Sequence, residues 1–486
     1  MAQEKKTGLQ KQLSPMHVWA LAFGCIIGWG SFINPGKKFL PNSGVDGTAI
    51  AMIAGAIVMF IIAAAYAYMV PKFPKAGGEF NFTKSCFGRV PAYICGWFLV
   101  AAYLTNVPMN STAIGLIVDG LDGSANILKF GFHYSIAGFD VWCGEVILAS
   151  AILILFGYLN IIGVKKAGFI QTVLTSLLAF SVFTLTIAAL ISPKATMLNM
   201  QPMWGFDKAA AMASQATSEN ISAFAHIGSQ GIWTAILATF AIAPWAFVGF
   251  ETIPQAVEEF KFSHKKVMLI MTVAIIFGAF VYSANNTVAA AACKNWPDRV
   301  MAGDWVLLIA AEEILGVFGK VLIGVAVSCA VLSGIMGFYL ASSRLIYSMS
   351  RDGYLPSVFN KIHPKYGTPY TAMIFCIIIS LSGPVLGREA LGWFVDMSAI
   401  GASIGFFATS ASTIVMANRD GDGSFRLKTL AALGCLFSMA FIVLQLIPIS
   451  GLEGVHFCNQ SYMMLVVWVA LGILFFIRQR KNFIVD

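Results

Sequence analysis

Gly24-Cys25-Ile26-Ile27-Gly28-Trp29-Gly30-Ser31-Phe32, with Pro35 just beyond, lies in the first long apolar run of this 486-residue chain. Each of its three glycines weakens a helix by about 1 kcal/mol relative to alanine. In a bilayer, backbone groups released from a helix persist only where protein or a water-filled cavity satisfies them. Two readings fit the stretch on its own. It is an unwound segment, or it is a site of close helix packing, since Gly24 and Gly28 have GxxxG spacing. A second stretch tips the balance toward unwinding. In Ala243-Pro244-Trp245-Ala246-Phe247-Val248-Gly249-Phe250-Glu251, Pro244 removes a helix hydrogen bond, Gly249 loosens the following turn, and Glu251 sets a carboxylate in an apolar run. Ionisable residues inside spans are costly and usually functional.

Both stretches belong to a chain that reads as a membrane protein throughout. It is 58% hydrophobic and 11% charged, with mean hydropathy +0.78; soluble domains carry about 25% charged residues. A spanning helix needs about 20 apolar residues. Windows of that kind fall at 16–36, 49–70, 91–118, 143–163, 167–191, 232–257, 267–292, 316–349, 370–386, 392–417, 428–449 and 461–477, about twelve by this criterion. Segment 1–15 meets the first window with no small-residue cleavage site, so that span is expected to remain. With a cytoplasmic N-terminus, Lys and Arg concentrate on the inner side. Lys72, Lys75, Lys84, Arg89, Lys165, Lys166 and the clusters at 261–266, 344–365, 419–428 and 478–481 all fall there. The outer side keeps Lys37, Lys38, Lys129, Lys194, Lys208, Lys294, Arg299, Lys320 and Arg388. This bias predicts both termini inside and an even number of spans. The longest connection, 192–231, is then external; with Trp204, Phe224 and His226 it reads as an amphipathic cap or a plain loop.

Several chemistries find no support. The net charge of +8 sits in short clusters, without a basic stripe interleaved with aromatics, so nucleic acid is not a partner. The nine cysteines are scattered, with no CxxC or Cys/His spacing, and read as packing residues, so no metal site is expected. No intramembrane HExxH, phosphate-binding loop or nucleophile–base pair points to an enzyme, and no filter-like repeat points to a channel.

Spans one and six are equivalent positions in a five-plus-five repeat, whose halves have inverted topology because five is odd. Paired interruptions at such positions mark the midplane site of a secondary transporter. Free amide N–H groups and helix N-termini attract a carboxylate, while free carbonyls and helix C-termini attract an ammonium. One unwound segment offers both, which suits an amino acid.

The motifs resemble those of the amino acid permeases of the amino acid–polyamine–organocation superfamily, over nearly the whole chain. The first-span stretch is similar to the family's G-x-I-x-G-x-G-x-F. Pro74-Lys75-Ala76-Gly77-Gly78-Glu79-Phe80 resembles P-x-A-G-G-x-Y/F, and Asn160 to Gln171 resembles N-x-x-G-x-K-x-x-G-x-x-Q. Phe247-Val248-Gly249-Phe250-Glu251 resembles F-x-G-F-E. Ser343-Arg344, then Ser350 to Pro356 and Gly367-Thr368-Pro369, resemble S-R, A-R-D-G-x-L-P and G-T-P. Trp29, where many relatives have a small residue, and Tyr68, where many have Glu, depart from the pattern.

The resemblance implies an all-α polytopic membrane protein of about 12 transmembrane helices, with the LeuT-type inverted repeat and discontinuous helices 1 and 6. The expected organisation is a cytoplasmic N-terminus at 1–15, a first repeat at 16–191, an external loop at 192–231, a second repeat at 232–417, and two last helices with a cytoplasmic C-terminus at 418–486. It implies that amides around Gly28, Trp29 and Gly30 hold the substrate carboxylate, with Ser31 adding a hydroxyl. The carbonyls of Ile26, Trp245 and Val248 would receive the amino group. Trp245 would be an aromatic gate, with Phe247 and Phe250 from the same motif beside it. Asn106, Phe338, Ser333 and Ser398 are pocket candidates that read equally well as packing residues. For the driving force, span five has no Lys or Arg but offers Thr172, Thr175 and Ser176, which with Ser333 and first-span carbonyls make a sodium reading. Glu251 makes a proton reading, and exchange without an ion is a third. No cofactor is expected. The expected function is permease activity for amino acids, neutral ones first, in the cell membrane. The alternatives are a polyamine or cationic amino acid antiporter, and a transporter-like nutrient sensor without flux. Among the remaining acids, Asp119 and Glu145 are expected near the outer interface, Asp396 beside Lys320 or Arg388, and Glu258 and Glu259 on a solvated inner face with Lys261, Lys265 and Lys266.

Overall fold

A computed structural model describes residues 9–122, 126–206, 231–421, 423–448 and 456–479. Among these, every apolar window holds helix. Among the described residues nine helices are long and apolar enough to cross a membrane, and the pair Ile232–Phe240 and Ala243–Glu259, bent by 44°, passes as one broken span. Pro15–Ile26 and Tyr370–Leu386 are shorter apolar helices. The protein is therefore a multi-pass membrane protein.

Local chemistry sets the first helix. Pro15 occupies its first turn, where a missing N–H costs nothing, and the Ser14 side chain caps it by accepting from the His17 amide. The helix ends at Ile26, resumes over Gly30–Asn34, and passes through a π-helical turn, Pro35–Phe39, into Leu40–Met69. Within that last helix Gly44 adopts φ +67, and a β-carbon there would lie 2.1 Å from the Met203 carbonyl oxygen, so glycine is required on both counts.

Between the second and third spans lies a helix that hydropathy does not reveal, Gly78–Phe87. On the other end of the bundle, His133–Ile136 and Phe139–Trp142 form an antiparallel hairpin with Ile136 opposite Phe139. The described part of the 192–231 connection runs to residue 206 and lies on the bundle, with the Phe206 amide donating to the Pro41 carbonyl. Phe224 and His226 lie outside the described residues.

The bundle has an inside and an outside. The Val317–Arg351 helix is 78% buried over its most apolar stretch, whereas Asn459–Arg478 is 11% buried. That last helix is held through Trp468, which stacks on Trp97 at 4.6 Å. Each indole N–H donates to the other residue's carbonyl.

One end of the bundle is closed by ion pairs and backbone. Glu259 is fully buried and accepts from Arg344 at 3.1 and 3.3 Å, itself fully buried. Glu258 pairs with Arg351 at 2.8 Å. The expectation of a solvated face therefore holds for Lys261, Lys265 and Lys266 but not for the two glutamates. The reason is the 3-10 geometry of Phe250–Glu259, which lays that segment along the Val317–Arg351 helix. Beside this pair, the amides of Gln12 and Leu13 both donate to the Glu259 carbonyl at 2.8 Å, and Lys261 returns a bond to Leu13. At the opposite end Arg388 bridges Asp119 and Glu145. Asp396 meets neither Arg388 nor Lys320. It accepts from Ser461 at 2.6 Å.

Candidate functional site

The first interruption is three residues long. The Ile27 amide donates to Phe23 at 2.9 Å, Ile27 itself is extended, and the helix restarts at Gly30. The next backbone bond runs from Ser31 to Gly28. Among the described residues, the amides of Gly28, Trp29 and Gly30 have no hydrogen-bond partner. Three consecutive open N–H groups at a helix start are an anion-attracting concavity. The Ser31 hydroxyl donates to the Gly28 carbonyl at 2.9 Å, so it braces the break rather than facing the space beyond it. The Ile26 carbonyl accepts from Tyr282 at 3.3 Å.

The second interruption lies directly against the first. Gly249 has φ +144, and a β-carbon on it would sit 2.6 Å from the Ile26 amide nitrogen. Only glycine permits this backbone-to-backbone approach. Glu251 accepts the Gly249 N–H at 2.8 Å, so its carboxyl caps the break; its other oxygen has no partner. The Val248 amide donates to the Trp245 carbonyl at 3.2 Å. The Trp245 ring lies over Gly30, whose β-carbon would be 2.3 Å from it, and its centroid is 6.2 Å from that of Trp29. These two rings, with Asn34, Leu391, Val395, Lys37, Lys38 and Asp304, line a cavity of about 400 Å³. Lys37, Gly303 and Asp304 also line a neighbouring cavity of about 440 Å³ with Trp305 and Arg388.

Other candidates scatter. Phe247 packs toward Gly55 and Gly278 on the second and seventh spans. Phe250 sits between Tyr66 and Phe406, at 5.7 and 5.5 Å. Phe338 stacks on Tyr103 at 6.4 Å. None of these three is among the residues lining the two cavities beside Trp29. Asn106 spends its amide on the Ala102 carbonyl and on Ser398, at 2.7 and 2.6 Å.

One turn further along that helix is a residue the sequence reading did not single out. Asn110 is 1% exposed and donates to the Asn106 carbonyl at 2.8 Å, but its side-chain oxygen has no partner. That oxygen lies 3.5 Å from where a β-carbon of Gly28 would be. The spacing of four from Asn106 was its only signal. An open acceptor thus stands beside the three open amides.

Around the fifth span, Thr175 and Gln171 both donate to the Ala20 carbonyl, at 3.2 and 3.1 Å, and Ser333 donates to Gly24 at 3.2 Å. Gln171 fills this space, since a β-carbon on Gly24 would lie 2.4 Å from its amide nitrogen. Thr172 bonds back to Gly168 within its own helix. Ser176 is exposed and stands apart from Thr175 and Ser333, because one residue of helix turns the side chain by about 100°. Among the described residues, no group of three His, Cys, Asp or Glu could hold a metal.

A family profile described as Amino acid permease matches residues 13–476. The large neutral amino acids transporter small subunit 2 of Mus musculus is 27% identical over 375 residues, covering 77% of this chain and 64% of that protein. The Asc-type amino acid transporter 1 of Mus musculus is 26% identical over 375 residues, covering 76% of this chain and 64% of its own length. Both matches therefore span less than two thirds of the mammalian proteins. The branched-chain amino acid permease BcaP of Bacillus subtilis (strain 168) is 25% identical over 500 residues, covering 98% of this chain and 94% of that one. With the match running almost from end to end, this chain belongs to the amino acid permease family of the amino acid–polyamine–organocation superfamily.

Proposed function

We propose that this protein is a secondary carrier that moves a neutral amino acid across the cytoplasmic membrane by alternating access. The observation that carries the reading is the meeting of the two broken segments, where three open amides and the open oxygen of Asn110 stand side by side. The amides of Gly28, Trp29 and Gly30 take the carboxylate. Asn110, with the Val248 carbonyl and the lone pair of the Ile26 carbonyl that Tyr282 does not take, receives the ammonium. Trp29 and Trp245 cover the site from the side of the two cavities. The names of the relatives, large neutral and branched-chain amino acid transporters, favour an uncharged side chain.

The nine long helices, the broken pair and the two shorter apolar helices together support about twelve crossings. We assign 16–191 and 232–417 as inverted repeats around the site, with both termini cytoplasmic. The ion-paired end is then the inner one, and it is shut. Labelled amino acids, GABA and putrescine, each offered to the protein in proteoliposomes preloaded with unlabelled substrate, test the reading. Exchange of a neutral amino acid supports it; an absence of exchange for every compound removes it.

Two expectations follow from the site. Asn110→Leu keeps the volume and deletes the open acceptor. A hydrogen bond to a charged group is worth about 1.5–3 kcal/mol, so KM should rise by roughly 10- to 100-fold with little change in maximal rate. An unchanged KM would remove Asn110 from the site. Second, the carbonyls of Ala20 and Gly24 are already met by Thr175, Gln171 and Ser333, so uptake should be equal in sodium and choline media. A sodium-dependent rate would restore the sodium reading.

A further inference from the structure

At the sixth span, polar side chains from three different spans, Tyr66, Tyr103 and Gln255, close around one carboxyl group of the connecting helix. Glu79 stands in the first turn of Gly78–Phe87 and is fully buried. One of its oxygens accepts from the Tyr66 hydroxyl at 2.7 Å and lies 3.5 Å from that of Tyr103. The other accepts from the Gln255 amide at 2.6 Å. Tyr103 also donates to the Glu251 carbonyl at 3.2 Å. The backbone is fixed as tightly: β-carbons on Gly77 and Gly78 would lie 2.4 Å from Ser348 and 2.8 Å from Pro254.

Among the described residues no cation pairs with this group, and the charges on the elements packed around it are engaged elsewhere. Arg344 meets Glu259, Arg351 meets Glu258, Lys84 meets Asp352 and Lys72 meets Asp420. The titratable groups that face Glu79 are Tyr66 from the second span, Cys95 and Tyr103 from the third, and Glu251 from the sixth. All are neutral or acidic. The Gln255 side-chain oxygen is buried without a partner. A half-turn of that amide would set this acceptor toward Glu79, where only a protonated carboxyl can donate to it.

We propose that Glu79 is a proton-binding site whose occupancy holds the inner face of the carrier shut, so that losing the proton on that side permits opening. The proposal rests on the carrier reading given above. Opening the inner face parts the second, third and sixth spans from the Gly78–Phe87 helix and brings water to Glu79. Burial, opposed by its hydrogen bonds, pushes Glu79 up to about 7 in the closed form. Hydration returns it to the ordinary carboxylate range. A group raised in the closed form binds its proton there more tightly. Closure therefore gains stability as pH falls through about 7, and the gain is complete below about 4.5, the ordinary glutamate value.

Two measurements on the full chain test this. In proteoliposomes, wild-type exchange should speed several-fold as internal pH rises from about 6 to about 8, and Glu79→Gln, fixed in the neutral form, should show a flat profile. A Glu79→Gln profile that follows the wild type overturns the proposal. Hydrogen exchange of segments 9–14 and 250–260 in the wild-type protein decides the matter even where the variant does not fold. Faster opening at the higher pH supports the proposal, and equal opening at both overturns it. Should the wild type exchange no amino acid at all, the carrier reading falls, while hydrogen exchange still reports on Glu79.

Discussion

Alanine at Gly249 is expected to abolish amino acid uptake in proteoliposomes and to lower the thermal stability of the purified protein. Two costs combine. At φ +144 an L side chain is strained whatever the space around it, by about 1–3 kcal/mol. The added carbon also meets backbone: 2.6 Å to the Ile26 nitrogen and 2.8 Å to the Cys25 carbonyl carbon. A backbone atom cannot swing aside as a side chain does, so the two interrupted spans must separate, and overpacking of this kind costs about 1–3 kcal/mol more. The separation moves Ile26 and Gly28 relative to Trp245 and Val248, which dismantles the site. Gly421 supplies the control. Its φ is +68, but nothing lies within 4 Å of its β-carbon position, so Gly421→Ala carries the strain without the collision and should keep uptake. Near-normal uptake by Gly249→Ala would show that the two broken segments need not touch.

The second large effect is at the closed end. Arg344→Met leaves the Glu259 carboxylate buried and unpaired. Removing one partner of a buried pair costs about 3–5 kcal/mol, whereas replacing both with apolar groups is often neutral. Arg344→Met and Glu259→Met should each lower Tm sharply, and the double variant should recover most of the loss. The same single variants weaken closure, so cysteines introduced near this end should react faster with a membrane-impermeant thiol reagent. A double variant no more stable than either single would mean that the pair is not what the two groups contribute.

Long apolar runs located helix in every window, because burial in lipid is a property of consecutive residues. Both interruptions were legible too, since glycine and proline change the backbone itself. Side-chain partners were not. Glu259 reads as one of several charges at a span end, and only the 3-10 path of its segment brings it to Arg344. Asn106 and Asn110 share a face of one helix, yet Ser398 satisfies the first and leaves the second open. Thr175 and Ser176 are adjacent hydroxyls, yet one residue of helix is enough to bury the first and expose the second. Glu79 was visible only as a letter in a loop motif, because the helix that buries it is too short and too polar to register in a hydropathy window.

The hydrogen bonds between residues 12–13 and 259–261 join peptide groups. Exposed ion pairs, such as Lys72 with Asp420, fade as mobile ions gather around them, but amide-to-carbonyl bonds hold no net charge to be screened. These hydrogen bonds depend on no particular side chain, proline excepted, although Leu13, Glu259 and Phe260 are themselves buried. Salt would therefore loosen exposed pairs of this kind and leave the seam intact.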